Sequence, residues 1–312
     1  MSRWPDFFIA GASKSGTSSL VALLAQHPQI AFGPVKEPGY FLGQGGGLFL
    51  EGPGDRRRHA GLTLERSAYL ALYARCKVAR VGDASSNYLY DPLAAEAIHS
   101  LLPEARIIFI LRDPVQRAVS AYKHLRGDGD EPIGSFAEAL DAEGIRKESR
   151  FDYLWRYREC GEYARHLRPW LQLFPASQIH IAIFEDLIAQ PDRLAREIAA
   201  FLGLESPSRA FLPVHENASG RMPAGRLAEG LSGSVVGRLW RHWLPVRLRL
   251  RVRAAVPKRR SPVPATPEEL DRLRSHFYPQ FTLLRDLLNQ TTSKIPPWLE
   301  YDALQKAARF ME

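Results

Sequence analysis

Residues 7–19 read FFIAGASKSGTSS. Phe7 to Ala10 form an apolar run that stops at Gly11, the pattern of a strand buried on both faces of a parallel sheet. Gly16 opens the segment SGTSSLVALLAQHP (15–28), where Leu20, Leu23 and Leu24 recur at helical spacing and Pro28 ends the pattern. Strand, glycine turn and helix in succession make an anion site, because backbone N–H groups project from the helix start and the helix dipole adds positive potential. Lys14 lies inside the turn, and hydroxyls at Ser15, Thr17, Ser18 and Ser19 supply further donors.

The turn departs from the Walker A pattern, which needs a lysine directly after the second glycine and a hydroxyl behind it for magnesium. Gly11 and Gly16 have the Walker separation, but Thr17 stands where that lysine belongs. Lys14 comes earlier, where its charge reaches the end of a bound phosphate. Read alone, the loop also fits an ordinary Ser/Gly-rich connection between a strand and a helix.

Further strand–helix pairs follow. VGDASSNYLYDP (81–92) gives a short strand and a loop, LAAEAIHSLL (93–102) a helix, and ARIIFILRDP (105–114) a second buried strand. VQRAVSAYKHLR (115–126) reads as a helix, QIHIAIFEDL (178–187) as a strand and PDRLAREIAAFLGL (191–204) as its helix. The alternation predicts an α/β protein with a P-loop-type three-layer fold, its central parallel sheet flanked by helices on both faces. FLGQGGGLFLEGPGD (41–55) reads as a mobile loop, and residues 267–288 as an amphipathic helix. With no internal repeat and no linker, residues 1–312 are expected to form a single domain with a helical C-terminal part from about 231 onward.

A net charge of +8 favours anionic partners such as nucleotides, polyanions or an anionic membrane face. Cys76 and Cys160 make no disulfide framework and no zinc-ligand cluster, so both read as free thiols in a reducing compartment. The sequence enters its first strand without the charged, apolar and small-residue order of a secretory signal, and no run reaches the length of a membrane span. A cytoplasmic protein is expected.

The segment ILRDPVQRAVSAYKHL (110–125) narrows the reading of the first turn. Arg112 ends a buried strand, Pro114 starts a helix, and Ser120 lies two turns into it. Taken alone, LRDP also fits a capping arrangement at a strand end. Together, KSGTSS and this segment resemble the two nucleotide-binding motifs of the sulfotransferases that use 3′-phosphoadenosine 5′-phosphosulfate (PAPS). The resemblance implies a 5′-phosphosulfate loop at Lys14 to Ser19 and a 3′-phosphate site built from Arg112 and Ser120. HENASGRMP (215–223) resembles the loop that closes over the 3′-phosphate, with Gly220 and Arg221 in the matching places and Ser219 where relatives often carry a base. LLAQHPQIAFGPVKEPGYF (23–41) and VGDASSNYLYDP give the chain the flavour of the carbohydrate branch, which includes heparan sulfate sulfotransferases and many bacterial enzymes.

That resemblance implies a PAPS-dependent transferase of the EC 2.8.2 type. A sulfuryl group passes in line from PAPS to an acceptor hydroxyl, and the product nucleotide PAP leaves. The resemblance places the catalytic base at Glu37 in KEPGYF. Lys14 is expected to neutralise the leaving phosphate, and no metal is required. His124, one helical turn past Ser120, is the competing base. Lys36, Asp83 and Tyr88 are the candidate acceptor contacts, although Tyr88 also fits a core position. Where heparan-type relatives follow the acid with a lysine that binds sulfated glycan, this chain has Ala84.

The acceptor is expected to be a carbohydrate or glycolipid hydroxyl, and no nucleic acid partner is expected. Residues 238–260 are rich in arginine with interleaved Leu, Trp and Val. They fit a helix lying on anionic lipid at the inner face of a membrane, a wall of the acceptor cleft, or a solvated face. Two other functions fit parts of the pattern: a P-loop kinase or NTPase, and an inactive membrane-binding scaffold with the same fold.

Overall fold

The computed structural model describes residues 3–44, 47–214, 265–291 and 294–300. Gly220, Arg221 and the arginine-rich 238–260 stretch lie outside the described residues. Five strands run parallel in one sheet: β1 (Phe7–Gly11), β2 (Ile30–Phe32), β3 (Arg80–Asp83), β4 (Arg106–Leu111) and β5 (Ile179–Ile183). Their spatial order is β2-β3-β1-β4-β5, with Phe8 opposite Asp83 on one side and Ile107 on the other.

Alternate side chains of each strand enter different cores, as the two-residue strand period requires. Phe7, Ile9, Ile108 and Ile110 pack with Leu20, Leu23, Leu187, Leu194 and Ile198. Those partners come from α1 (Thr17–Leu24), α9 (Phe184–Ala189) and α10 (Pro191–Phe201). Phe8, Ala10, Ile107, Phe109 and Leu111 face the larger core on the other side. That core is closed by α4 (Pro92–Leu101), α5 (Pro114–Asp128), α8 (Tyr163–Leu173) and α11 (Pro267–Thr291). Helices thus cover both faces, which is why β1 and β4 are continuous apolar runs rather than alternating ones.

The predicted elements fall on these strands and helices with end shifts of a few residues. The region between α5 and β5, where the sequence pattern predicts no element, holds α6 (Phe136–Asp141), α7 (Glu143–Glu148) and α8. Pro169 lies within α8 and Pro279 within α11, two positions at which a sequence reading expects a helix to stop. The glycine-rich stretch after β2 leads into two short helices, α2 (Asp55–Arg58) and α3 (Arg66–Ala71).

Both predicted binding segments sit at the carboxyl ends of the strands, where ligands of parallel α/β sheets bind. The phosphate turn joins β1 to α1. The 110–125 segment is the end of β4 and the first three turns of α5, where the Asp113 side chain accepts from Val115 N at 2.9 Å and Pro114 occupies the first turn.

Candidate active site

Gly16 caps α1 with φ of 92°, in the left-handed region that favours glycine. A Cβ there would stand 2.8 Å from the Phe184 ring, so glycine is needed for space as well as for conformation. No side chain caps the start of α1, and its first turn holds no acidic residue. The helix therefore turns free backbone donors and unopposed dipole potential toward the turn, which suits a phosphate or phosphosulfate.

Lys14 occupies the turn with φ of 66°. Burial first, and then the Lys36 charge, lower its ammonium pKa to about 8, against weaker support from Asp128 and Glu37. A cation held so far below its ordinary value gains much from a dianion placed against it. Ser15 is fully buried with its hydroxyl in no well-formed hydrogen bond, and Thr17 and Ser19 are buried beside it. Ser18 accepts a hydrogen bond from Lys36 Nζ at 2.5 Å.

Arg112 leaves the end of β4 and donates from Nη1 to the Lys14 carbonyl at 3.3 Å. Its guanidinium lies 4.5 Å from the centroid of Phe184, the ring that packs under Gly16. Tyr163 of α8 donates to the Arg112 carbonyl at 2.9 Å and fixes the backbone there. Ser120 is buried in α5, two turns beyond Arg112. The two segments expected to bind nucleotide, whose Lys14 and Arg112 are 98 residues apart in sequence, therefore meet side by side.

Glu37 lies across the turn with φ of 54°. Its Oε1 accepts from Ser86 Oγ at 3.2 Å and stands 3.6 Å from Lys36 Nζ. Lys36 thus bridges the phosphate turn and the carboxylate. Among the described residues, the only non-glycine positions with positive φ are Lys14, Glu37 and Arg150. Two of the three are the residues assigned to chemistry, and such backbone strain clusters at functional sites.

His124 faces the same cleft. Burial first, then the charges of Lys14, Arg58 and Lys36, hold its imidazolium down to about 3, so the ring is neutral and a weak base. The ring also lies 3.8 Å from Asp128, one turn on in α5.

Asp83 stands elsewhere than expected of an acceptor contact, and Tyr88 takes the core position that the sequence also allows it. Asp83 is 1% exposed, and its Oδ2 accepts from Tyr69 at 2.7 Å and Tyr88 at 2.9 Å, while Oδ1 accepts from Ser85. Burial raises its carboxyl pKa to about 6 against those hydrogen bonds. Both side chains belong to a sealed network under the site. Their link to it runs through Ser85, whose Oγ accepts from Gly39 N at 3.0 Å and so holds the KEPG segment in place. No acceptor contact by Asp83 or Tyr88 fits this packing.

Sequence reasoning missed four residues. Phe184 and Tyr163 brace Arg112, and only their position after a strand and at a helix start hinted at that. His59 and Asp152 pair at 3.2 Å, from segments 93 residues apart that no local pattern connects, and the Glu37 charge acts on the His59 ring.

Residues 4–221 match the sulfotransferase domain family, and the chain belongs to that family. Mouse heparan sulfate glucosamine 3-O-sulfotransferase 3B1 is 30% identical over 203 residues, which cover 64% of this chain and 46% of that protein. Human heparan sulfate glucosamine 3-O-sulfotransferase 6 is 27% identical over 89% of this chain and 70% of its own length. A crystal structure of a sulfotransferase from Alicyclobacillus acidocaldarius superposes with a TM-score of 0.73 at 28% identity, covering 95% of this chain and 99% of that one. The chain spans less than half the length of the first curated relatives it matches, 20% of one and 46% of the next.

Proposed function

We propose that the protein transfers a sulfuryl group from PAPS to an acceptor hydroxyl, with a carbohydrate or glycolipid as acceptor. The observation that carries this reading is the convergence of Lys14, Arg112 and Glu37 on one cleft at the carboxyl ends of β1 and β4.

In the forward step the acceptor oxygen bonds to sulfur as the bond from sulfur to the 5′-phosphate oxygen breaks. The hydroxyl proton passes to Glu37, and the bond pair stays on the phosphate oxygen. The uncapped start of α1 and the Lys14 ammonium stabilise that developing charge, with Lys36 at the far side of the turn. Arg112 and Ser120 would hold the 3′-phosphate, the guanidinium as a forked donor. Gly220 and Arg221 are assigned to the same phosphate on sequence alone. Phosphosulfate needs less added positive charge than a γ-phosphate does, so the chemistry is proposed to run without a metal.

The neutral His124 ring, so reluctant to take a proton, supports Glu37 as the base and leaves His124 to position the acceptor or Lys14. The kinase reading has no comparable support, because the hydroxyl behind Gly16 carries no preceding Walker lysine. A cytoplasmic location is part of the proposal, supported by free cysteines at Cys76 and Cys160, as is contact of residues 238–260 with anionic lipid. No helix among the described residues is long and apolar enough to cross a membrane.

Incubation with PAPS and a panel of glycans, glycolipids and simple alcohols, read by mass spectrometry, tests the assignment. The expected result is gain of one sulfuryl mass in EDTA buffer, absent from Glu37→Gln. Transfer that persists in Glu37→Gln would remove Glu37 from the role of base, and failure of PAPS to react with any hydroxyl would overturn the function.

A further inference from the structure

Arg117 lies in α5, between the strand end at Arg112 and Ser120, and its side chain is fully buried. Nη2 donates to the Tyr157 carbonyl at 2.6 Å, while Nε and Nη1 have no hydrogen-bond partner among the described residues. A guanidinium keeps its charge inside a protein, and a buried charge is costly unless something opposes it. The steps of sulfuryl transfer do not use this cation.

Two phenols connect Arg117 to the phosphate turn and to the end of β4. The Tyr90 hydroxyl accepts from Ser13 N at 3.1 Å and lies 3.2 Å from Ser13 Oγ. The Tyr163 hydroxyl donates to the Arg112 carbonyl at 2.9 Å, and the Ser15 hydroxyl acts on the same phenol. The Tyr90 ring meets His166 edge-on at 5.1 Å, one turn past Tyr163 in α8, so the two tyrosines share one wall of the core. The Arg117 charge acts on both phenols and on Arg112 itself. Burial pushes both phenols up against that charge, Tyr163 to about 12, so both keep their protons and their hydrogen bonds.

We propose that Arg117 is a positioning residue of the nucleotide site: from inside the fold it orients the Tyr90 and Tyr163 hydroxyls that hold Ser13 and the Arg112 carbonyl, and its charge adds to the field that the bound phosphates meet. The inference rests on the sulfotransferase reading and adds a residue to it. A hydroxyl dipole beside a cation turns its oxygen toward the charge and its proton away. That leaves the Tyr163 proton for the Arg112 carbonyl and the Tyr90 proton for Ser13 Oγ. Because the guanidinium is fully buried, salt screens it less than a surface cation. The nucleotide phosphates bring the negative charge that opposes Arg112 and Arg117 together.

The test is calorimetric titration of the full chain with PAP, beside urea unfolding of the same preparations, for Arg117→Met, Arg117→Lys, Tyr90→Phe and the Arg117→Lys/Tyr90→Phe pair. Arg117→Met loses the charge and is expected to weaken PAP about tenfold, the scale of a charge-assisted contact. Arg117→Lys returns a charge without the fork and is expected to recover about half of that loss on a logarithmic scale, a rescue that packing alone does not give. Tyr90→Phe removes one hydroxyl and is expected to weaken PAP about three- to tenfold. In the pair the loss is expected to differ from the product of the single losses by about twofold or more, because Arg117 acts through Tyr90. Full PAP affinity in Arg117→Met or in Tyr90→Phe overturns the proposal, as does Arg117→Lys binding no better than Arg117→Met. If Arg117→Met does not fold, the pair decides, and independent losses overturn it. A wild-type chain that binds no PAP counts against the sulfotransferase reading, whereas wild-type binding with indifferent variants counts against Arg117 alone.

Discussion

Arg112 Nη1 donates to the carbonyl of Lys14 at 3.3 Å, joining the end of β4 to the turn after β1. A guanidinium and an ammonium from segments far apart in the chain are thereby brought into one anion site with no carboxylate in the first turn of α1. Two cations so close repel each other, which contributes to the lowered pKa of Lys14. An anion bound between them relieves that repulsion.

Arg112→Ala should weaken PAP by about 10- to 100-fold, the range for losing charge-assisted hydrogen bonds of 1.5–3 kcal/mol. Arg112→Lys should recover only part of this, because a point charge cannot replace a fork stacked on Phe184. Titration calorimetry reads both. Equal affinity in wild type and Arg112→Ala would remove Arg112 from the nucleotide site.

Gly16→Ala should cost about 1–2 kcal/mol from the left-handed backbone alone, with more from contact with the Phe184 ring, which a Cβ would approach to 2.8 Å. PAP affinity should fall with stability, because Phe184 also seats Arg112. Urea denaturation and PAP titration measured on the same preparation check this, and a variant with unchanged stability would mean that the turn relaxes easily.

Lys14 carries a pH signature. Its folded pKa of about 8 lies below the ordinary 10.5, so the native chain holds fewer protons than the unfolded one between those values. Stability therefore rises with pH from about 8 to 10.5, while PAP binding, which needs the ammonium, falls as pH rises above about 8. Lys14→Arg should keep PAP affinity through pH 10. Lys14→Gly should lose turnover yet gain about 1 kcal/mol or more, because it relieves a positive φ and a buried charge at once. A pH series of PAP affinities and of unfolding free energies tests both signs.

His166 is 7% exposed, donates from Nε2 to the Glu159 carbonyl at 2.8 Å, and has its pKa lowered by burial to about 4. Its unfolded form binds a proton at about 6.5 and its folded form does not. Stability is thus lost as pH falls from about 6.5 to 4, with a slope approaching about 1.4 kcal/mol per pH unit. Burial acts the same way on His180, also held to about 4. His166→Gln should flatten the acid limb of a plot of unfolding free energy against pH.

The β1–α1 turn and the β4–α5 junction were legible in the sequence because local constraints wrote them. A buried parallel strand must be apolar throughout, and a helix that follows it at once must start with glycine, proline or a cap. Glu37 was legible only through likeness to a family, since nothing in KEPGYF itself signals a base. The surroundings of Glu37 and Asp83 were not legible, because they are assembled from long-range pairs. His59 finds Asp152 across 93 residues, and Asp83 is withdrawn from the cleft by two tyrosines whose hydroxyls point inward. The bond from Lys36 to Ser18 was not legible for the same reason: the two lie in different turns.

The most direct test of the shared nucleotide site is a double-mutant cycle with PAP in EDTA, using Lys14→Ala, Arg112→Ala and the pair. The expected result is tight wild-type binding without metal, a loss of at least about tenfold in each single variant, and a double variant whose loss differs from the sum by 0.5 kcal/mol or more. Wild-type binding that needs added magnesium, or full PAP affinity after either substitution, would contradict it.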